Sequence, residues 1–209
     1  MVAALNARHA ALHPETPAAE TAGVAAFVPM DGYHLTRAQL DLMDDSAQAH
    51  ARRGAEFTFD GGKFLQLVEA LRAPLQPSTS GGPEGPATGV IYAPSFDHAV
   101  KDPRENDIAI RPGHRVVVFE GNYVCLDKEP WRSAAALMDE RWFVEVDEKI
   151  ARKRLVDRHV RAGIAADEVE AGKRADENDL VNGKQVIDNK VPGIDEVIVS
   201  REDGEWRHE

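Results

Sequence analysis

Val28-Pro29-Met30-Asp31-Gly32-Tyr33-His34-Leu35 is the stretch on which the fold turns. It joins an apolar run, residues 23–30, to a pattern with helical spacing, and the joint is polar and contains glycine. A short apolar run of this kind reads as a buried parallel strand. Asp31 then stands just past the carboxyl end, where open α/β sheets place their ligands. A strand-end Asp followed by Gly, Tyr and His offers a metal ligand or general base, a close backbone approach and two polar aromatic tips. The alternative is a strand-to-helix turn in which Asp31 only caps the next helix, since Asp and Gly favour turns for local reasons. On spacing alone both readings stand.

The arrangement recurs downstream. Residues 115–119 give the clearest strand signal of the chain, and the run ends in Glu120-Gly121-Asn122-Tyr123. A second acid therefore lies just past the end of a second apolar strand. Residues 35–53 carry helical spacing with Thr36 as N-cap, and Arg52-Arg53-Gly54 ends the pattern. Those two arginines read either as a helix end-cap or as guanidiniums reaching an anionic substrate. Phe64, Leu65, Val68 and Leu71 repeat at helical spacing. Residues 73–89, rich in Pro, Gly, Ser and Thr, read as a flexible surface loop. A short strand at 90–94 is expected to stop at Pro94, with a polar loop at 95–98 and a short extended piece at 107–110. A helix at 130–138, a strand at 141–146, a helix at 148–161 capped by Asp147, a second helix at 166–185 and a strand at 196–200 complete the pattern. Alternating strands and helices predict an α/β fold, a doubly wound parallel sheet with flanking helices, in a single domain over 1–209 with a lid at 148–187.

The composition narrows the function. The 209 residues are 43% hydrophobic, enough for a sizeable core, and no apolar stretch approaches the ~20 residues of a membrane span. A net charge of −11 disfavours nucleic acid and anionic membrane as partners. One cysteine, Cys125, excludes an internal disulfide framework and a multi-cysteine zinc site. The N-terminus has no long apolar stretch and few basic residues, so the expected location is cytoplasmic. The sequence does not set the oligomeric state; a dimer is one option.

Asp31 and Glu120, on neighbouring parallel strands, converge at the sheet's carboxyl edge. Magnesium favours a few carboxylates together with water and phosphate oxygens. Arg154, Arg158 and Arg161 lie three or four apart on one helix and share a face. Acids that hold a metal, opposed by arginines that neutralise phosphoryl oxygens, make the pattern phosphoryl transfer needs. The plain alternative for the arginines is an exposed face making surface ion pairs.

PMDGYHL, the RRGA at 52–55, the FDGGKF at 59–64, IYAPSFDH, VVVFEGNYV and the block from RLVDRHVRAGI to NDLVN, in that order, resemble the uridine kinase, phosphoribulokinase and pantothenate kinase group of P-loop kinases, nearest its nucleoside/nucleotide-kinase-like branch. The resemblance implies an ATP-dependent kinase acting on a hydroxyl of a small molecule such as a nucleoside, sugar or pantothenate-like alcohol. It makes Asp31 the general base, close to the metal, and Glu120 the magnesium holder. It lines the acceptor pocket with Tyr33, His34, Arg53, Tyr92, Asp97 and His98. It assigns Arg154, Arg158 and Arg161 to a lid over the ATP phosphates, and Asn178 and Asn182 to the neighbourhood of the nucleotide base.

One departure matters. The group cradles ATP with G-x-x-x-x-G-K-[ST], whose backbone N–H groups, Lys and Ser or Thr hold phosphates and magnesium. Gly62-Lys63, Gly172-Lys173 and Gly183-Lys184 are followed by Phe64, Arg174 and Gln185, with Phe57, Asp167 and Asn178 where the first glycine belongs. Residues 1–7 look like the back half of the helix that follows such a loop, so the first strand and phosphate loop are expected to be missing. The expected consequences are doubtful ATP binding, doubtful activity, exposed strand edges and some tendency to aggregate. Two other functions fit: a non-catalytic relative that binds a metabolite or partner, and a metal-dependent phosphatase using Asp31 and Glu120.

Overall fold

Along the chain the elements run α1 (Val2–Leu12), β1 (Ala25–Pro29), α2 (Arg37–Asp41), α3 (Ser46–Ala51), α4 (Gly61–Arg72), β2 (Ile91–Asp97), β3 (Asp102–Ile110), β4 (Val116–Glu120), α5 (Trp131–Ala136), β5 (Trp142–Glu145), α6 (Glu148–Arg161), α7 (Glu168–Arg174), α8 (Leu180–Asp188) and β6 (Glu196–Val199). They are taken from a computed structural model that describes residues 1–14, 23–73 and 89–201. Most of the Pro/Gly-rich loop expected from the sequence lies outside the described residues.

The strands form parallel pairs, as the apolar runs predict. β1 pairs with β4, Pro29 opposite Glu120, and β5 pairs with β6. Helices flank them, giving the α/β fold. At Ala25 the outer border of β1 is capped by one side chain: the Asn6 amide on α1 accepts from Ala25 N at 2.8 Å and donates to Ala25 O at 3.0 Å. The inner border of β4 and that of β5 have no strand partner among the described residues. Both line a cleft of about 1640 Å³, together with Met1, Val2 and Leu5. β4 is a strand as expected, but it is not buried: Val116 is 41% exposed and residues 117–119 are only half-buried.

The second strand does not stop at Pro94. β2 runs through it to Asp97 and forms an antiparallel hairpin with β3, which replaces the expected polar loop. The register shifts between Ala93 and Ser95, and a proline, having no N–H to give the ladder, is accommodated at such an irregularity. The helix expected at 35–53 is two short ones. Thr36 caps α2 in a capping box with Gln39, but Asp45 takes the Gln48 N–H at 2.9 Å and starts a new helix. Asp and Ser compete for backbone N–H groups in this way. The helix expected at 166–185 is likewise divided, into α7 and α8 with a π-helical turn between them at Ala175–Asp179.

The main core is aromatic. Tyr33, Phe64, Tyr123 and Trp131 are each at most 2% exposed. Phe64 meets Tyr33 edge-on at 5.2 Å and Phe119 at 5.4 Å. Burying one such ring contributes about 1.5–3 kcal/mol. The core fixes the ends of β1 and β4 from below, which positions the two strand-end acids.

Candidate active site

The chain leaves β1 through a single 3₁₀ turn, Met30–Tyr33, that puts Asp31 outside and Met30 and Tyr33 inside. The turn is held at its C-terminal end. Asp60 N donates to Tyr33 O at 2.7 Å and Leu35 N donates to Thr58 O at 2.9 Å. Two glycines permit the packing. A Cβ on Gly32 would come within 2.2 Å of Pro94 O, and one on Gly121 within 2.3 Å of Met30 Cβ. The strand-end acids thus have glycine beside them because the chain packs too closely there for a side chain.

Glu120 is the register partner of Pro29, so Asp31 lies just beyond it. Burial, and then the charge of Asp31, push the Glu120 carboxyl above its usual range. Two carboxylates that repel across a strand end are a fit for a divalent cation. Among the described residues no group of three or more His, Cys, Asp or Glu is placed to hold a metal, and magnesium needs fewer protein ligands than that.

His34 is held against the aromatic wall, 3.9 Å from the Phe59 ring centre and 4.9 Å from that of Phe96. Burial lowers its pKa, outweighing Asp31, so the ring is neutral at pH 7. Its Nδ1 lies 3.1 Å from Asp31 O, which can only accept. The proton therefore sits on Nδ1 and Nε2 is left an acceptor. Arg53 extends the wall: Nη2 donates to Leu35 O at 3.0 Å and to Asp102 Oδ1 at 3.1 Å, and the guanidinium lies 5.7 Å from the Phe96 ring centre. His98 stands 5.2 Å beyond Phe96. Asp97 caps the hairpin turn through Ala99 N and Val100 N and pairs with Arg104; those bonds depress its pKa, the Val100 bond most.

Asp31, His34, Arg53 and His98 are thus gathered in one place. Tyr33 is not an open pocket residue but part of the core, its ring on Phe64. Tyr92 is 52% exposed, and no described contact joins it to His34 or Asp31. The three lid arginines also separate. Arg158 lines the large cleft with Glu120 and Asn122, Arg161 is exposed, and Arg154 is tied to Ser200 Oγ at 2.8 Å and Arg201 O at 3.1 Å. Asn178 and Asn182 are engaged by a protein group: Arg52 Nε and Nη2 donate to their Oδ1 atoms, each at 2.8 Å. Asp102 and Phe96 were not expected. Both were hidden by reading Pro94 as the end of a strand, and only a hairpin brings them beside Arg53.

No protein-family model matches the chain. It is 51% identical, over 178 residues, to the ATP-dependent kinase-like protein notR' of Aspergillus versicolor, covering 85% of this chain and 95% of that one. This chain is a member of the P-loop kinases of the uridine kinase type. A Schizosaccharomyces pombe protein assigned by name to the uridine kinases is 39% identical over 80% of this kinase-family chain. The crystal structure of YFH7 from Saccharomyces cerevisiae, described as a P-loop-containing kinase with a circular permutation, superposes with a TM-score of 0.71 at 29% identity, over 87% of this chain. The chain spans 66% of the length of the Schizosaccharomyces pombe protein and 59% of YFH7. Among the described residues no helix is long and apolar enough to cross a membrane.

Proposed function

We propose that the chain carries the acceptor half of an ATP-dependent kinase that phosphorylates a hydroxyl of a small molecule. The observation that supports this best is the Asp31–Glu120 pair at the ends of two parallel strands, beside a wall of neutral His34, Arg53 and Phe96. Asp31 accepts the proton of the attacking hydroxyl. His34 Nε2 accepts a second hydrogen bond from the acceptor and orients it. Glu120 and Asp31 hold magnesium, which when bound neutralises phosphoryl oxygens. Arg158 faces the same cleft as Glu120 and meets the donor's phosphates.

The donor side fits less well. The 209 residues contain no G-x-x-x-x-G-K-[ST], so the backbone cradle for the β- and γ-phosphates has no counterpart in them. That absence favours a second reading, a relative that binds an acceptor-like metabolite without phosphorylating it. The test is incubation with Mg-ATP and a panel of nucleosides, sugars and pantothenate, with phosphate esters read by ³¹P NMR. The kinase reading expects ester formation that Asp31→Asn abolishes while acceptor binding persists. Turnover retained in Asp31→Asn sinks the base assignment. Acceptor binding without ester formation favours the second reading.

A further inference from the structure

Arg52 is a half-buried cation that pairs with no acid among the described residues. Its two side-chain hydrogen bonds go to amide oxygens, Asn178 Oδ1 and Asn182 Oδ1, and no ion pair joins it among the described residues. Its neighbour Arg53 shows the usual solution, a carboxylate at 3.1 Å. Acids are at hand for Arg52 too. Glu177 and Asp179 flank Asn178 on the π-helical turn, yet Asp179 faces His159 at 3.5 Å instead. A guanidinium taken partly out of water is costly unless a charge compensates it, and amides orient it without cancelling its charge.

The turn is built for that orientation. It stacks the two asparagines one turn apart, with Asn182 Nδ2 donating to Asn178 Oδ1 at 3.3 Å. Single π-helical turns occur often at functional sites. Asn182 lines the large cleft, as do Arg158, Glu120 and Asn122. Arg52 Nη1 has no partner among the described residues and is not among their buried unpartnered atoms, so it reaches solvent. We propose that Arg52 is a phosphate-binding residue, its guanidinium set by Asn178 and Asn182 to take an oxyanion of a phosphate chain beside the cleft that Asn182 lines. This rests on the kinase reading for the identity of the anion. The rival role is a plain clasp between α3 and α8.

Titration of the full chain with magnesium pyrophosphate separates the two, followed on the arginine Nε–H signals by ¹H–¹⁵N NMR. The Arg52 signal is assigned by its loss in Arg52→Lys. The expected result is a saturable shift of that signal. Asn182→Asp supplies the missing acid: it leaves the melting temperature at or above that of the wild type and weakens pyrophosphate about tenfold, the scale of one lost charge-assisted bond. An Arg52 signal that does not move, or an Asn182→Asp chain that binds pyrophosphate as well as the wild type, overturns the assignment. Pyrophosphate bound through Arg52 by a chain that forms no phosphate ester from Mg-ATP keeps it and defeats the kinase reading instead.

Discussion

Glu120 feels the charge of Asp31 across the ends of two parallel strands, and with its own burial this holds the Glu120 carboxyl above its usual range. A raised carboxyl pKa means that the folded state retains the proton longer than the unfolded one. Stability therefore falls as pH rises through the folded-state value, and the penalty is absent below about pH 4, the ordinary Glu range. Glu120→Gln should melt higher than the wild type at pH 7 without metal, on the order of 1–3 °C. The gain should vanish near pH 3.5. Adding Mg²⁺ should raise the wild-type midpoint and leave that of Glu120→Gln unmoved. Calorimetry at the two pH values, with and without Mg²⁺, checks all three.

Arg53 depends on Asp102 across the hairpin. Both side chains are largely buried, at 16% and 27% exposure. Asp102→Asn leaves the guanidinium desolvated and unpaired, at a cost of about 2 kcal/mol after allowance for the residual exposure. Urea unfolding should show a lower midpoint with an unchanged slope. An unshifted midpoint would mean that the pair contributes nothing.

Gly32 is sterically fixed. A methyl group there meets the Pro94 carbonyl at 2.2 Å, and backbone cannot rotate away as a side chain would. Gly32→Ala should lower stability by about 1–3 kcal/mol by overpacking. Because the clash lies beside Asp31, acceptor affinity should fall with it. Full wild-type stability in Gly32→Ala would contradict the close approach.

Cys125 is buried at 5% exposure, and burial, partly offset by Arg141, pushes its thiol up. Thiolate is the reactive form, so a disulfide reagent should modify it at least about 100-fold more slowly in the folded chain than in urea. Equal rates would show that α5 and its surroundings open freely.

Val144 is 60% exposed on β5, whose inner border is unpaired among the described residues. Val144→Lys should suppress light scattering on heating while moving the midpoint by no more than about 1 °C, as a charged residue on an edge strand does. Unchanged scattering would mean that aggregation proceeds through another surface.

The strands and strand-end acids were readable because periodicity reports them directly. Apolar runs at 23–30 and 115–119 admit few other structures, and Asp31 and Glu120 follow from where the runs stop. Asp147 and Thr36 likewise mark helix starts by local chemistry. Long-range pairing was not readable. That β2 passes through Pro94 depends on a register shift made possible by β3, and the Arg53–Asp102 pair follows from that hairpin. The engagement of Asn178 and Asn182 by Arg52 joins residues more than 120 positions apart. Exposure of β4 was hidden for a related reason: residue composition tells what a strand prefers, not whether a neighbour is present to cover it.

Asn6 has a consequence for assembly. Its amide offers Ala25 one acceptor and one donor, the same pair a neighbouring strand would present, and Gly23 leaves room for it: a Cβ there would sit 2.5 Å from the Asn6 amide nitrogen. A side chain that imitates a strand cannot itself be extended by one. Addition of a further strand against the β1–β4 pair is therefore opposed where Asn6 holds Ala25. One asparagine thus does on the outer border of β1, at a single residue, what a neighbouring strand would do along its length.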